Sequence, residues 1–246
     1  MEVVTGVDAL RPGHGPIFAV IGVFDGLHRG HVYLLDHLVR GALARDAHPC
    51  VITFDHHPDE VLTGTAPPLL VDPEERVTRL GEAGVDVTVI QHFDDAVRHT
   101  TYDDFIATIR GRTALAGLLM TPDAAFGYQR AGTPDAVRAL GEREGFDLVV
   151  VEPFEIDGAT VRSSDIRAAI ERGDLPVAER LLGRPLALRG EAHAGRMTFD
   201  WPMAMPPSGT YPVRIDGRPV SVTVDGATVH LPDGAGEGTV RLEFVA

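Results

Sequence analysis

Short apolar runs alternate along most of this chain with segments whose apolar residues recur every three or four positions, a pattern that few folds accommodate. The runs Ile17 to Phe24, Cys50 to Phe54, Val85 to Ile90, Leu115 to Met120 and Leu148 to Val151 predict buried strands. Between them, Val32, Leu35, Leu38, Val39 and Ala42 follow the spacing of one helix face. Asp72-Pro-Glu-Glu75 combines an Asp cap, a first-turn Pro and acidic early positions, and Thr133-Pro-Asp135 repeats the start. Strands separated by helices predict an α/β domain with a mainly parallel sheet. No repeat of fixed period interrupts the pattern.

The texture changes near Gly183-Arg-Pro185. After the Pro-rich Trp201–Pro207 stretch come alternating segments, Thr210 to Ile215, Val220 to Val224, Ala227 to Leu231 and Thr239 to Val245. Turns at Asp216-Gly217 and Asp225-Gly226 separate three of them, so residues 186–246 read as a small antiparallel β domain following an α/β domain over 1–185.

Composition narrows the function. The 246 residues carry 22 basic and 36 acidic side chains, a formal net charge of −14, and every basic residue is arginine. A P-loop lysine is excluded, and broad nucleic-acid binding is disfavoured because it requires many phosphates to be neutralised. The single cysteine, Cys50, cannot form an intramolecular disulfide and reads as a strand residue in a reducing compartment. No apolar run approaches about 18 residues and the N-terminus has no basic start, so a soluble cytoplasmic protein that binds no membrane is expected.

The chemistry concentrates in Gly22-Val-Phe-Asp-Gly-Leu-His-Arg-Gly-His31, where the first long strand runs into a tight turn and then a helix. In a parallel sheet this turn lies at the carboxyl edge, where ligands bind. Gly26 and Gly30 let backbone amides approach an anion, the helix aims its first N–H groups at the same point, and His28 and His31 can both donate hydrogen bonds. A Gly-rich connection carrying two surface histidines is the plainer alternative. Asp55, His56 and His57 supply metal-binding groups, but neighbours at a strand end face opposite ways, and no metal site is expected there.

These residues bear a resemblance. His-x-Gly-His after a first strand is similar to the signature of the nucleotidylyltransferase superfamily, and the longer string resembles the adenylyltransferase module of bacterial bifunctional riboflavin kinase/FAD synthetases. Thr53-Phe-Asp-His-His-Pro58 resembles that family's Thr-Phe-Asp-Pro-His-Pro. Asp123-Ala-Ala-Phe-Gly127, with Arg130 and Gly132, resembles its Asp-Phe-Arg-Phe-Gly segment. Arg162-Ser-Ser-Asp-Ile-Arg167 and Leu182-Gly-Arg-Pro185 follow in the family's order. The resemblance implies a Rossmann-like domain that moves AMP from ATP, with Mg2+, onto FMN to give FAD and pyrophosphate. It implies ATP contacts at Gly22, Phe24, Asp25, Gly26, His28, Gly30, His31, Asp123, Phe126, Gly127, Ser163, Ser164 and Arg167. Of these, His28, His31, Ser164 and Arg167 carry the catalytic role. Phe54, His57, Pro58 and Arg130 are the implied FMN contacts. Arg162 to Arg196 holds seven arginines and five acidic residues, net +2 in an acidic chain, which supports a phosphate site, a solvated helix face with ordinary ion pairs being the plainer alternative.

Two departures matter. Ala124 and Ala125 stand where the family has Phe and Arg, and Phe199-Asp-Trp-Pro202 stands where its kinase domain has Pro-Thr-Ala-Asn. The tail is therefore expected to be a reduced kinase-like barrel without riboflavin kinase activity. A nucleotidylyltransferase with another phosphorylated acceptor, and an idle flavin- or nucleotide-binding module, remain alternatives at this level.

Overall fold

A computed structural model describes residues 1–245, which form two compact units. The first comprises Met1–Phe24, His31–Ala66 and Val77–Phe154; the second comprises Asp25–Gly30, Pro67–Arg76 and the residues from Glu155 onward. The expected division after residue 185 falls just before the first strand of the β-barrel described below, whereas the packing units divide elsewhere.

In the first unit, β1 (Glu2–Thr5), β2 (Ile17–Ile21), β3 (His48–Phe54), β4 (Val87–Gln91), β5 (Leu115–Met120) and β6 (Asp147–Val150) form one sheet. Their order is β1-β4-β3-β2-β5-β6, and every pairing is parallel. The helices of the α/β region are α1 (Arg29–Leu43), α2 (Pro58–Thr63), α3 (Pro73–Glu82), α4 (Asp95–His99), α5 (Tyr102–Arg112) and α6 (Pro134–Glu144). The central strands are apolar because both sheet faces are covered: Ile17, Phe18, Ala19, Cys50, Val51 and Ile52 have no exposed surface. Burial pushes the Cys50 thiol up to about 12, so it remains a protonated core group.

The α1 stripe is narrower than the sequence predicts. Leu35, Leu38 and Ala42 are buried, whereas Val32 is exposed. The two predicted helix starts form: Asp72 Oδ1 accepts from the amides of Glu74 and Glu75 at 3.1 and 3.0 Å, and Thr133 Oγ1 accepts from Ala136 N at 3.4 Å. One strand ends early. The first long run was expected to extend to Phe24, but β2 stops at Ile21 and Phe24 has a left-handed φ of 54°.

In the second unit, the hairpin of β7 (Glu155–Ile156) and β8 (Ala159–Thr160) precedes α7 (Ser163–Glu171) and α8 (Leu175–Leu182). A closed antiparallel barrel follows, made of β9 (Ala187–His193), β10 (Arg196–Thr198), β11 (Gly209–Ile215), β12 (Arg218–Asp225), β13 (Thr228–His230) and β14 (Gly238–Phe244). Its strand order is β10-β13-β12-β11-β14-β9. Closure leaves no open sheet edge. Met197, Val213, Val222, Val229 and Leu242 are buried, alternating along their strands with more exposed residues.

Ile52, fully buried on the central strand β3, reports on the α/β core. Ile52→Ala is expected to cost about 2–5 kcal/mol and Ile52→Val about 1 kcal/mol, read as lowered midpoints in urea unfolding followed by circular dichroism. Equal midpoints for both variants and the parent would contradict this placement.

Candidate functional site

Within the second unit, residues 25–30 form a turn stabilised by long-range polar contacts. Asp25 is 2% exposed, and its carboxylate accepts from Leu70 N at 3.0 and 3.1 Å and from Arg167 Nη2 at 2.5 Å. Arg167 also donates from Nε to the Pro68 carbonyl at 2.7 Å, and Ser163 Oγ donates to the Asp25 carbonyl at 3.1 Å. Burial raises the Asp25 carboxyl above its ordinary value, while Arg167 and the Leu70 amide act in the opposite direction. Gly26 has a φ of +80°, and a Cβ there would meet the Leu70 side chain at 2.8 Å, so both backbone conformation and space require glycine.

Arg184 completes the turn. It donates from Nη2 to the Gly26 carbonyl at 2.6 Å and from Nη1 to the Leu27 carbonyl at 3.1 Å. Leu27, at φ 39°, is held in a conformation that L-residues avoid. The next residue, His28, is 4% exposed. Its pKa falls from 6.5 to about 4, first because burial disfavours the imidazolium and then because Arg184 and Arg167 add positive charge nearby. His28 is therefore a neutral imidazole near pH 7, able to donate a hydrogen bond but unable to bring a charge. It immediately precedes α1, whose first turn contains Gly30 and His31.

Ser163 and Ser164, expected ATP contacts, open α7, although neither hydroxyl caps it. Arg162 is the N-cap with no side-chain cap bond, Ser163 bonds instead to Asp25, and Ser164 is exposed. Asp25 is an expected ATP contact, yet its carboxylate is engaged by Leu70 and Arg167. Arg184 was quoted as part of a motif and given no role. Its signal in the sequence is the Gly-Arg-Pro string within the arginine-rich segment Arg162 to Arg196.

In the first unit, Gly22 and Phe24 leave the end of β2. The Gly22 amide still reaches the Ile52 carbonyl at 3.0 Å, and the ring of buried Phe24 lies 5.1 Å from that of His31. This unit holds a cavity of about 680 Å³, a volume ordinary for small-molecule sites. All four expected FMN contacts, Phe54, His57, Pro58 and Arg130, line it, together with Phe93 and Arg98. Gly22, Phe126 and Gly127 line it as well. A cavity of about 310 Å³ lies where loops follow β2 and β5, the point at which strand order reverses, and Asp123, Phe126 and Arg130 contribute to its wall. Ala124 and Ala125 also line this smaller cavity.

Two outcomes follow from the turn. Above pH 6.5 the neutral His28 imposes no proton-linked cost. As pH falls from 6.5 towards 4, the unfolded chain takes up a proton that the folded chain resists, so stability is lost across that window, by up to about 3 kcal/mol. The melting temperature of the parent should drop further between pH 7 and pH 4.5 than that of His28→Gln; equal drops would contradict the buried neutral state. Arg184→Gln removes one of the charges that depress His28, so its imidazole pKa, followed by NMR of labelled histidine, should move back towards 6.5.

The family model described as FAD synthetase matches residues 11–165. A bifunctional riboflavin kinase/FMN adenylyltransferase of Pseudomonas fluorescens is 32% identical over 263 aligned positions, covering 99% of this chain and 82% of that protein. A FAD synthetase of Listeria monocytogenes is 28% identical over 217 positions, with 87% of each chain covered. A solved structure from Streptococcus pneumoniae, titled a macrolide-efflux protein, matches with a TM-score of 0.82 at 23% identity, covering 99% of this chain and 89% of that one. That last likeness concerns the fold alone. By its family match and by its identity to a relative aligned along nearly its whole length, the chain belongs to the FAD synthetase family.

Proposed function

We propose that this protein is an FMN adenylyltransferase: it takes ATP, as the magnesium complex, and FMN, and releases FAD and pyrophosphate. The observation that carries this reading is the turn at residues 25–30, where His28 is kept neutral and buried beside two arginines in a chain of net charge −14.

The chemistry fits such a turn. A phosphate oxygen of FMN attacks the α-phosphorus of ATP, the bond to the β-phosphate bridging oxygen breaks, and pyrophosphate leaves. The nucleophile is already an anion at neutral pH, so no base is needed. The barrier comes from charge on the α-phosphate oxygens and the leaving group. A neutral imidazole at His28 donates without requiring desolvation of a charge, and His31 in the first turn of α1 is assigned the same duty. Arg167 keeps Nη1 for the β- and γ-phosphates while Nε and Nη2 hold Pro68 and Asp25. The amides of Gly26 and Gly30, and Ser163 and Ser164 at the start of α7, are assigned to the nucleotide. Asp25 is committed to Arg167 and Leu70, so magnesium is assigned to the phosphates that bring it. Asp123, Phe126 and Gly127 are assigned to the adenosine. The larger cavity of the first unit, with its aromatic wall and Arg98 and Arg130, suits a flat aromatic ring carrying an anionic tail.

The same reading has the protein working in the cytoplasm on small molecules, with no nucleic acid or membrane partner; no helix of the described residues is long and apolar enough to cross a membrane. It also has riboflavin phosphorylation absent, because Phe199-Asp-Trp-Pro202 occupies the place of the family's Pro-Thr-Ala-Asn.

Chromatography of reactions containing ATP, magnesium and FMN should show FAD. His28→Ala should lower the rate about 100-fold or more with circular dichroism unchanged, and Arg167→Ala should lower it at least as much while also lowering the unfolding midpoint, because it leaves the buried Asp25 uncompensated. Riboflavin in place of FMN should yield no FMN. Failure of the parent protein to form FAD would overturn the activity, and FMN formed from riboflavin would overturn the absence of the kinase step.

A further inference from the structure

At the carboxyl ends of β3 and β4, three side chains converge that the adenylyltransferase reading does not use. Phe54 pairs with Gln91 in the parallel register of these strands, so the residues that follow, Asp55 and His92, emerge side by side, and the Asp55 amide donates to the Gln91 carbonyl at 3.1 Å. The Asp55 carboxylate is fixed by backbone donors, His56 N at 2.8 Å and Phe93 N at 3.2 Å. Two imidazoles face it. His92 Nδ1 lies 2.5 Å from Oδ2, His56 Nδ1 lies 3.3 Å from Oδ1, and the two rings stand edge to face with centroids 6.2 Å apart.

One ligand atom from each of Asp55, His56 and His92 lies within 4.8 Å of the other two. A tetrahedral shell with bonds of roughly 2.0–2.1 Å to imidazole nitrogen and carboxylate oxygen has edges of about 3.4 Å. The triangle therefore closes on an ion by side-chain rotation alone, with the carboxylate held by its amides. Two imidazoles and one carboxylate select a borderline divalent ion over magnesium or calcium, which prefer oxygen shells. His57, the neighbour weighed in the sequence reading, is turned elsewhere: its Nδ1 accepts from Asp59 N at 3.2 Å as the cap of α2. The third ligand comes instead from the adjacent strand.

We propose that Asp55, His56 and His92 form a surface site for a zinc-class divalent ion, with a fourth position left to water. Bound there, the ion ties together the segments that follow β3 and β4. Phe54, the last residue of β3, and Phe93, just after β4, adjoin those segments, and their rings meet edge to face at 5.3 Å in the wall of the larger cavity. The site does not depend on the adenylyltransferase reading.

Isothermal titration of the full chain with Zn2+ in chelator-free buffer should show one equivalent bound, and Co2+ should give the visible d–d bands of a four-coordinate ion. His56→Ala and His92→Ala should each weaken binding at least tenfold. His48→Ala serves as the control, since His48 faces only Asp86, at 3.0 Å, in another exposed His–Asp pair; its affinity should match the parent's. These histidines are exposed or half-exposed, and circular dichroism checks that the variants fold. Absence of stoichiometric binding, or binding that survives loss of His56 and His92 unchanged, would overturn the site.

Discussion

The buried carboxylate of Asp25 organises the second unit's chemistry. An ionised carboxylate removed from water is costly unless fully compensated, and here the compensation comes from two distant places in the sequence, the Leu70 amide and the Arg167 guanidinium. A single side chain thus draws together a turn, the segment around residue 70 and the start of α7. Such a pair is weak support for stability in itself, because desolvation offsets most of the Coulomb gain. Its value lies in register: with either partner lost, an uncompensated charge remains, so the turn has one acceptable arrangement.

Arg184 extends the same logic. By donating to two successive carbonyls it holds Leu27 in a conformation that the residue would not adopt alone, and its charge helps keep His28 neutral. Strain and pKa are set by the same guanidinium. For transfer chemistry at phosphorus this is a useful state, since a neutral buried imidazole can strengthen a hydrogen bond as charge develops without first losing a hydration shell.

The fold was legible where period and burial coincide. The strands β2, β3, β4 and β5 are apolar because they are largely covered on both faces, while β6, at the sheet edge, is only partly buried and was legible from its apolar run alone. β1 escaped notice: it is four residues long at the sheet edge, with three of them exposed. The opening strands of the barrel, β9 and β10, were hidden by their polarity; Arg189, Gly190 and Glu191 give β9 no apolar alternation, and β10 has three residues. The tight turn itself was legible through Gly26, whose positive φ and contact with Leu70 require glycine, whereas its assignment to a nucleotide came from the family resemblance and not from the spacing of its histidines and glycines. The roles of the Asp25 carboxylate and Arg184 were not legible, because both depend on partners 45 to 158 residues away. His92 was illegible for the same reason, since only the pairing of β3 with β4 brings it to Asp55.

Adenylyl transfer is defined by which bond of ATP is broken. The most direct measurement follows label from ATP carrying radioactive phosphorus at the α position, and separately at the γ position, with FMN and magnesium present. Adenylyl transfer puts the α label into FAD and the γ label into pyrophosphate. Appearance of the γ label in a flavin nucleotide, or of the α label in none, would contradict it.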